Sequence, residues 1–145
     1  MRHKITLDVH ICLTHDDQIF LLRRFQTGYE DGAYTVIAGH VDANESAKVA
    51  AVREAAEEVG VLIREEDLDF TGCMHRCFTD GVAANLFFIA RCWDGIPKNA
   101  EPNKCDHAGW FSLSDLPENI VSYVRPALER IGSGTWHLEY GWEKD

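Results

Sequence analysis

The chain has 145 residues, of which 46% are hydrophobic and 26% charged, a balance that suits one folded domain over residues 1–145 and excludes intrinsic disorder, collagen and low-complexity fibres. Lys and Arg number 14 against 24 Asp and Glu, a formal charge of −10, which argues against a broad grip on a polymeric nucleic acid. A small phosphorylated ligand is compatible with that acidity if a divalent cation, Mg²⁺ or Mn²⁺, stands between carboxylate and phosphate.

Ile5, Leu7, Val9, Ile11 and Leu13 alternate with Thr6, Asp8, His10 and Cys12, which predicts a strand with one buried face. Such alternation is neither a signal peptide nor a membrane span, so a cytoplasmic location without membrane contact is expected. Thr14 to Asp17 reads as a turn, and Gln18 to Arg24 as the second strand of a hairpin. Alternation sends Arg23 and Arg24 to opposite faces, so at most one is expected to face a cleft and bind phosphate through its planar fork. Past the Asp31-Gly32 turn, a strand is predicted over Ala33 to Ala38, ended by Gly39.

Ser46 to Val59 lacks Gly and Pro, is rich in Ala and Glu, and precedes Gly60. It predicts a helix with Asn44 or Ser46 as its N-terminal cap and Gly60 as its C-terminal one. Strands are predicted over Leu68–Cys77 and Asn85–Trp93, flanking the Thr79-Asp80-Gly81 turn, and over His107–Phe111. Ile120 to Ile131 should form a second helix with one apolar face, kinked or split by Pro126. The aromatic tail from Thr135 to Asp145 is expected to dock on the body of the domain, with a homodimer contact as the alternative. Strands before, between and after helices suggest an α/β or α+β sandwich. The five cysteines form an odd, scattered set, expected to be free thiols. The nearest metal-like grouping joins Cys73, His75 and Cys77 with Cys105 or His107.

The stretch that carries chemistry runs from Gly39 to Val61. At about 100° per residue, Val49, Val52, Ala55, Ala56 and Val59 share one arc, predicted to face a sheet, while Glu54, Glu57 and Glu58 share the opposite one. Three carboxylates at i, i+3 and i+4 repel one another, which on an ordinary solvated face is tolerated and around a metal ion is useful.

Gly39, Glu45, Arg53, Glu54, Glu57, Glu58 and Gly60, with Ala55 and Val61 at the aliphatic positions, resemble the Nudix box, Gx5Ex7REUxEExGU, at every fixed position. The resemblance implies the α/β fold of that family, an α/β/α sandwich with a mixed β-sheet, and hydrolysis of a nucleoside diphosphate linked to another group. Carried over by position, Glu57 and Glu58 are the principal metal ligands, Glu54 is a further ligand or the base, and the Gly39 carbonyl joins the metal shell. Glu45 and Arg53 are expected to pair and hold the loop to the helix, with Gly60 ending it; Arg53 is counted with Glu54 and Glu57 in the catalytic group. Ile37-Ala38 stands where the family often has Pro and Gly, and Asp42 where it often has Glu, departures that bear on loop geometry.

Glu101-Pro102-Asn103-Lys104-Cys105, then Trp110-Phe111 and Asp115-Leu116-Pro117, resemble a segment of small MutT-like nucleoside triphosphate pyrophosphatases. By that resemblance Glu101 reaches the metal site from a loop, as an extra ligand or the base; the alternative is a loop glutamate that merely precedes a rigidifying proline. A proline downstream of the box, as in the ADP-ribose group, and the SQPWPFPxS segment of the NADH group are missing. A nucleoside triphosphate, cleaved to monophosphate and pyrophosphate, is therefore the leading substrate expectation. A nucleotide sugar or another small diphosphate is the alternative, and a non-catalytic nucleotide-binding module is a third reading. For the base, Asn85 could read an edge by amide hydrogen bonds, and Tyr34, Phe78, Phe87, Phe88, Trp93 or Trp110 could stack. His40, next to Gly39, is placed to lie near the diphosphate, although a capping or solvent-facing role is the expected one for a loop histidine.

Overall fold

The computed structural model describes residues 1–143. Its first strand, β1 (Thr6–His15), forms a hairpin with β2 (Gln18–Arg24) through the expected turn. The segment predicted as one strand over Ala33–Ala38 is broken at Val36 into β3 (Tyr34–Thr35) and β4 (Ile37–His40). The break lets one segment serve two partners: β3 pairs with β2, while β4 pairs with β1 and continues through Gly39 instead of ending there.

Next come α1 (Ala47–Val59), a 3-10 turn at Glu65–Asp67, β5 (Leu68–Phe78), β6 (Gly81–Ala90), β7 (Cys105–Ser112), a short α2 (Val124–Leu128) and β8 (Trp136–Tyr140). One sheet runs β4-β1-β6-β5-β8 and the other β3-β2-β7, joined through the β1–β2 hairpin. The pairs β1–β6 and β5–β8 are parallel and the remainder antiparallel, so the sheet is mixed, as expected. The second helix is much shorter than its apolar periodicity suggested. Pro126 is tolerated because it falls in the first turn, where no backbone donor is required. The described part of the tail docks: β8 extends the sheet edge along β5, with Trp136, Leu138 and Tyr140 against the core, while Lys144 and Asp145 lie outside the described residues.

Two cores sit on the two faces of the central sheet. Val9, Ile11, Leu13, Ile37 and Phe88 meet Ala50, Ala51, Ala55 and Val59 of α1 on one side. Cys12, Met74, Phe87 and Ile89 meet Tyr123, Val124, Ala127 and Leu128 on the other. Strand β1 is therefore buried on both faces, not one, and its polar residues Asp8, His10 and Thr14 are inside with its apolar ones. Alternation reports which residues share a face; it does not report whether a second layer covers the polar face.

Candidate active site

Helix α1 is capped as its sequence suggests. The Ser46 hydroxyl accepts from the Val49 amide at 3.3 Å, and Gly60, left-handed at φ 73°, donates to the Ala56 carbonyl at 3.1 Å. Its rotation differs from the predicted wheel: Val49 and Ala56 are exposed, and the buried stripe is Ala50, Ala51, Ala55 and Val59. Alanines pack closer to the sheet than valines do and so set the rotation. Consequently Glu54 and Glu58 are not on an opposite, solvated face. They are half-buried beside the stripe, and the Ala38 amide of β4 donates to Glu58 at 3.3 Å.

Glycine at position 39 has a direct physical reason. A Cβ built there would lie 2.2 Å from the carboxyl carbon of Glu54, so only glycine lets β4 and that carboxylate share the space. Arg53 ties loop to helix. It donates to Glu45 at 2.6 and 3.1 Å, to the His40 carbonyl at 3.1 Å and to Glu54 at 2.8 Å, and it reaches Glu57 at 3.4 Å. Glu45 in turn accepts from the Asp42 amide at 2.9 Å. The expected Glu45–Arg53 pair is present, and Arg53 contacts two further box carboxylates besides.

Glu101 reaches the same place because the loop before β7 is laced to the end of α1: the Lys98 amide donates to the Val59 carbonyl and the Ala100 amide to that of Glu58, at 3.1 and 3.0 Å. Burial, the hydrogen bond and charge of Glu54, and the charge of Glu101 hold the Glu58 carboxyl well above the usual carboxylate range. Glu45 is shifted the other way: the hydrogen bonds from the Arg53 guanidinium and the Asp42 amide draw its carboxyl below the ordinary value.

These groups line a cleft of about 690 Å³, among them Ala38, Gly39, His40, Glu54, Glu57, Glu58 and Glu101. Arg23, Arg24, Gln26, Thr27 and Lys104 line the same cleft. Both arginines line it, against the expectation of one, because the β2–β7 ladder slips register between Arg23 and Arg24. A bulge of this kind breaks alternation and re-aims a side chain. Arg23 donates to Asp106 at 2.7 Å; Arg24 is held by the Tyr29 carbonyl and the Thr27 hydroxyl at 2.6 and 2.9 Å.

Carboxylates with a backbone carbonyl form a hard oxygen donor set of the kind that takes Mg²⁺ or Mn²⁺. The Gly39 cradle and the crowding of Glu58 against Glu54 and Glu101 fit such an ion. Among the described residues no three His, Cys, Asp or Glu side chains already converge as a finished cage; Glu54 and Glu57 turn to Arg53 instead. The cysteine alternative does not assemble, since Cys105 and His107 stand on β7, in the other sheet from Cys73, His75 and Cys77 of β5.

The sequence gives no signal that Gln26, Thr27 and Lys104 line the cleft. The pairing of His40 Nδ1 with Asp8 at 2.5 Å had no sequence signal, since the two are 32 residues apart and meet only through the β1–β4 register. Asn85, in contrast, is not in the cleft: it lies two strands away, fully buried on β6.

A family model of the NUDIX domain matches residues 4–131. The chain belongs to the NUDIX domain family. Over 116 residues it is 33% identical to a Pseudomonas putida protein named NAD-capped RNA hydrolase NudC, covering 79% of this chain and 39% of that protein. The protein of the same name from Deinococcus radiodurans is 33% identical over 107 residues, 72% of this chain and 35% of that one. The chain thus spans about two fifths of the length of the relatives it matches. Its fold is that of the MutT Nudix hydrolase from Burkholderia pseudomallei, with TM-score 0.82 and 24% identity over 89% of this chain and 99% of the other. The MutT protein from Methanosarcina mazei gives TM-score 0.77 at 21% identity, covering 92% and 96%. The Nudix likeness read from 23 residues of box thus extends over nearly the whole chain.

Proposed function

We propose that the chain is a metal-dependent Nudix hydrolase of nucleotide-linked diphosphates, cleaving a nucleoside triphosphate to monophosphate and pyrophosphate. The observation that carries this reading is one cleft lined both by the acidic oxygen donors of the box and by Arg23, Arg24 and Lys104. Glu57, Glu58, Glu101 and the Gly39 carbonyl would hold Mg²⁺ or Mn²⁺. Bound there, the ion would supply charge neutralisation at the phosphoryl oxygens and acidify a water.

The remaining work belongs to the chain's own groups. Arg23, Arg24 and Lys104 draw the phosphates towards the acidic donors and orient them. Glu54, set against Gly39 and beside Glu58, takes the proton from the attacking water. Arg53 keeps Glu54 and Glu57 pointed into the cleft while Glu45 anchors it, so its part in catalysis is positioning.

A second reading, cleavage of a dinucleotide at its diphosphate, is favoured by the names of the Pseudomonas and Deinococcus relatives. The chain spans too little of those proteins to inherit their substrate. Product-resolved hydrolysis of nucleoside triphosphates, dinucleotides and nucleotide sugars with Mg²⁺ and with Mn²⁺, beside Glu57→Gln, tests both. Pyrophosphate from a triphosphate, abolished in the variant, supports the first; two monophosphates from a dinucleotide support the second. No turnover of any substrate, or a variant equal to the parent, would leave a nucleotide-binding module.

A further inference from the structure

The register slip between Arg23 and Arg24 leaves one residue of β7 without a ladder partner. Arg23 stands opposite His107 and Arg24 opposite Cys105, so Asp106 is the extra residue of the bulge. That residue reaches back to β2, where its carboxylate accepts from Arg23 Nε at 2.7 Å. Arg23 is also confined along its own row of the sheet. Its ladder partners are Tyr34 on β3 and His107 on β7, and these two join each other, Tyr34 Oη to His107 Nδ1 at 2.8 Å, across the strand that carries Arg23. The guanidinium carbon stands 5.8 Å from the centre of the buried Tyr34 ring, within cation–π range.

The two arginines of the cleft are therefore held differently. Arg24 gives Nε to the Tyr29 carbonyl and Nη2 to the Thr27 hydroxyl, contacts that close the loop over residues 25–32. Asp106 engages Nε of Arg23 and leaves its two terminal nitrogens, the planar fork that matches phosphate oxygens, to the cleft that Arg23 lines. By charge alone a carboxylate beside a phosphate site weakens binding. Its presence has a reason if it orders a long, flexible side chain before the substrate arrives, so that less rotamer freedom is lost on binding.

Resting on the reading of the cleft as a diphosphate site, we propose that Arg23 grips the phosphoryl oxygens bidentately, that Asp106 is the positioning residue that aims it, and that Arg24 latches the loop over residues 25–32. Charge and aim make opposite predictions for removal of the Asp106 carboxylate. Loss of a negative charge would tighten the binding of a polyanion; loss of aim loosens it.

The test measures kcat and KM for nucleoside triphosphate hydrolysis with Mg²⁺ on the native chain, Asp106→Ala, Asp106→Asn and Arg23→Lys. Asp106→Ala should raise KM about tenfold with kcat nearly unchanged, and Arg23→Lys, which keeps the charge without the fork, should do the same. Asparagine keeps an acceptor oxygen for Nε, so Asp106→Asn should recover most of that loss. Combining Asp106→Ala with Arg23→Lys should raise KM no further, because the carboxylate acts only through Arg23. Both side chains of the pair are 36% exposed, so Tm should change little in any of these variants. In parallel, inorganic pyrophosphate with Mg²⁺ is titrated while the Arg23 Nε–H signal, identified by its absence in Arg23→Lys, is followed by NMR. It should shift in the native chain and respond in Asp106→Ala only at about tenfold higher pyrophosphate. If Asp106→Ala lowers KM or leaves it unchanged, if Asp106→Asn loses as much as Asp106→Ala, or if the two single effects add, the positioning role is overturned. If no triphosphate is hydrolysed, the function reading fails, and the pyrophosphate titration still decides whether Asp106 aims Arg23.

Discussion

Gly39 bears on chemistry through what it omits. Gly39→Ala would push a methyl group into the Glu54 carboxylate, and since that carboxylate ends a flexible side chain, the group that yields is the one proposed as the base, not the backbone. The expected outcome is a loss of roughly a hundredfold or more in kcat/KM with a Tm within a few degrees of the parent, read from Mg²⁺-dependent kinetics and thermal unfolding. His10 makes a different prediction. Burial, and then the charge of Arg76, lower its pKa from 6.5 to about 3, so the folded chain keeps the ring neutral while the unfolded chain protonates it. The stability this group contributes is complete above pH 6.5 and is lost as pH falls from 6.5 towards 3, at a slope approaching 1.4 kcal/mol per pH unit, an order-of-magnitude figure for one proton. Urea unfolding between pH 7 and 5 should show the slope, and His10→Asn should reduce it by about one proton. At this scale the box residues were all legible from spacing. Asp8, His10 and Arg76 were not, because nothing along the chain says that the polar side of an alternating strand will be covered.

At the scale of elements, sequence reading did well where one local rule governed and less well where two competed. The α1 caps at Ser46 and Gly60 are local and were found. The orientation of α1 was misjudged because alanine carries little hydrophobic weight in a periodicity argument, although it decides how closely a helix approaches a sheet. The β2 bulge between Arg23 and Arg24 belongs to the pairing with β7 and has no signature within β2 itself. Strand β8 contributes by closing the edge of β5. A Cβ at Gly72 would meet the Trp136 indole at 2.1 Å, so Gly72→Ala is expected to cost about 1–3 kcal/mol through overpacking. Truncation after Gly134 removes the whole β5–β8 ladder and uncovers that core edge. It should cost about 3 kcal/mol or more and expose an edge prone to pairing between molecules. Denaturant unfolding and size-exclusion of both variants check this; an unchanged midpoint for the truncated chain would make β8 an accessory and reopen the dimer contact.

Over the whole molecule, a net charge of −10 and a cleft crowded with carboxylates make the metal-free fold self-repelling at its active site. Free Mg²⁺ at about a hundred times its Kd should add about 2.7 kcal/mol by linkage, a rise of roughly 5–10 °C in Tm for a domain of this size. Glu58→Gln should raise the metal-free Tm, since it removes the charge most disfavoured by burial and by Glu54 and Glu101, and should abolish the Mg²⁺-dependent rise. Differential scanning calorimetry with and without Mg²⁺ gives both numbers. A variant whose Tm still climbs with Mg²⁺ would mean that the ion's main contacts lie elsewhere.

The sequence by itself determined the family, the helix that carries the carboxylates, and the metal class their oxygens suit, because these follow from residues within a few turns of one another. Tertiary structure alone decided that Lys104 joins the cleft, that both arginines face it, and that Asn85, Asp8 and Arg76 share a buried patch. Those meetings depend on strand order, a register slip and a covering layer, which are set by packing between segments up to 115 residues apart along the chain, as Asp8 and Tyr123 are.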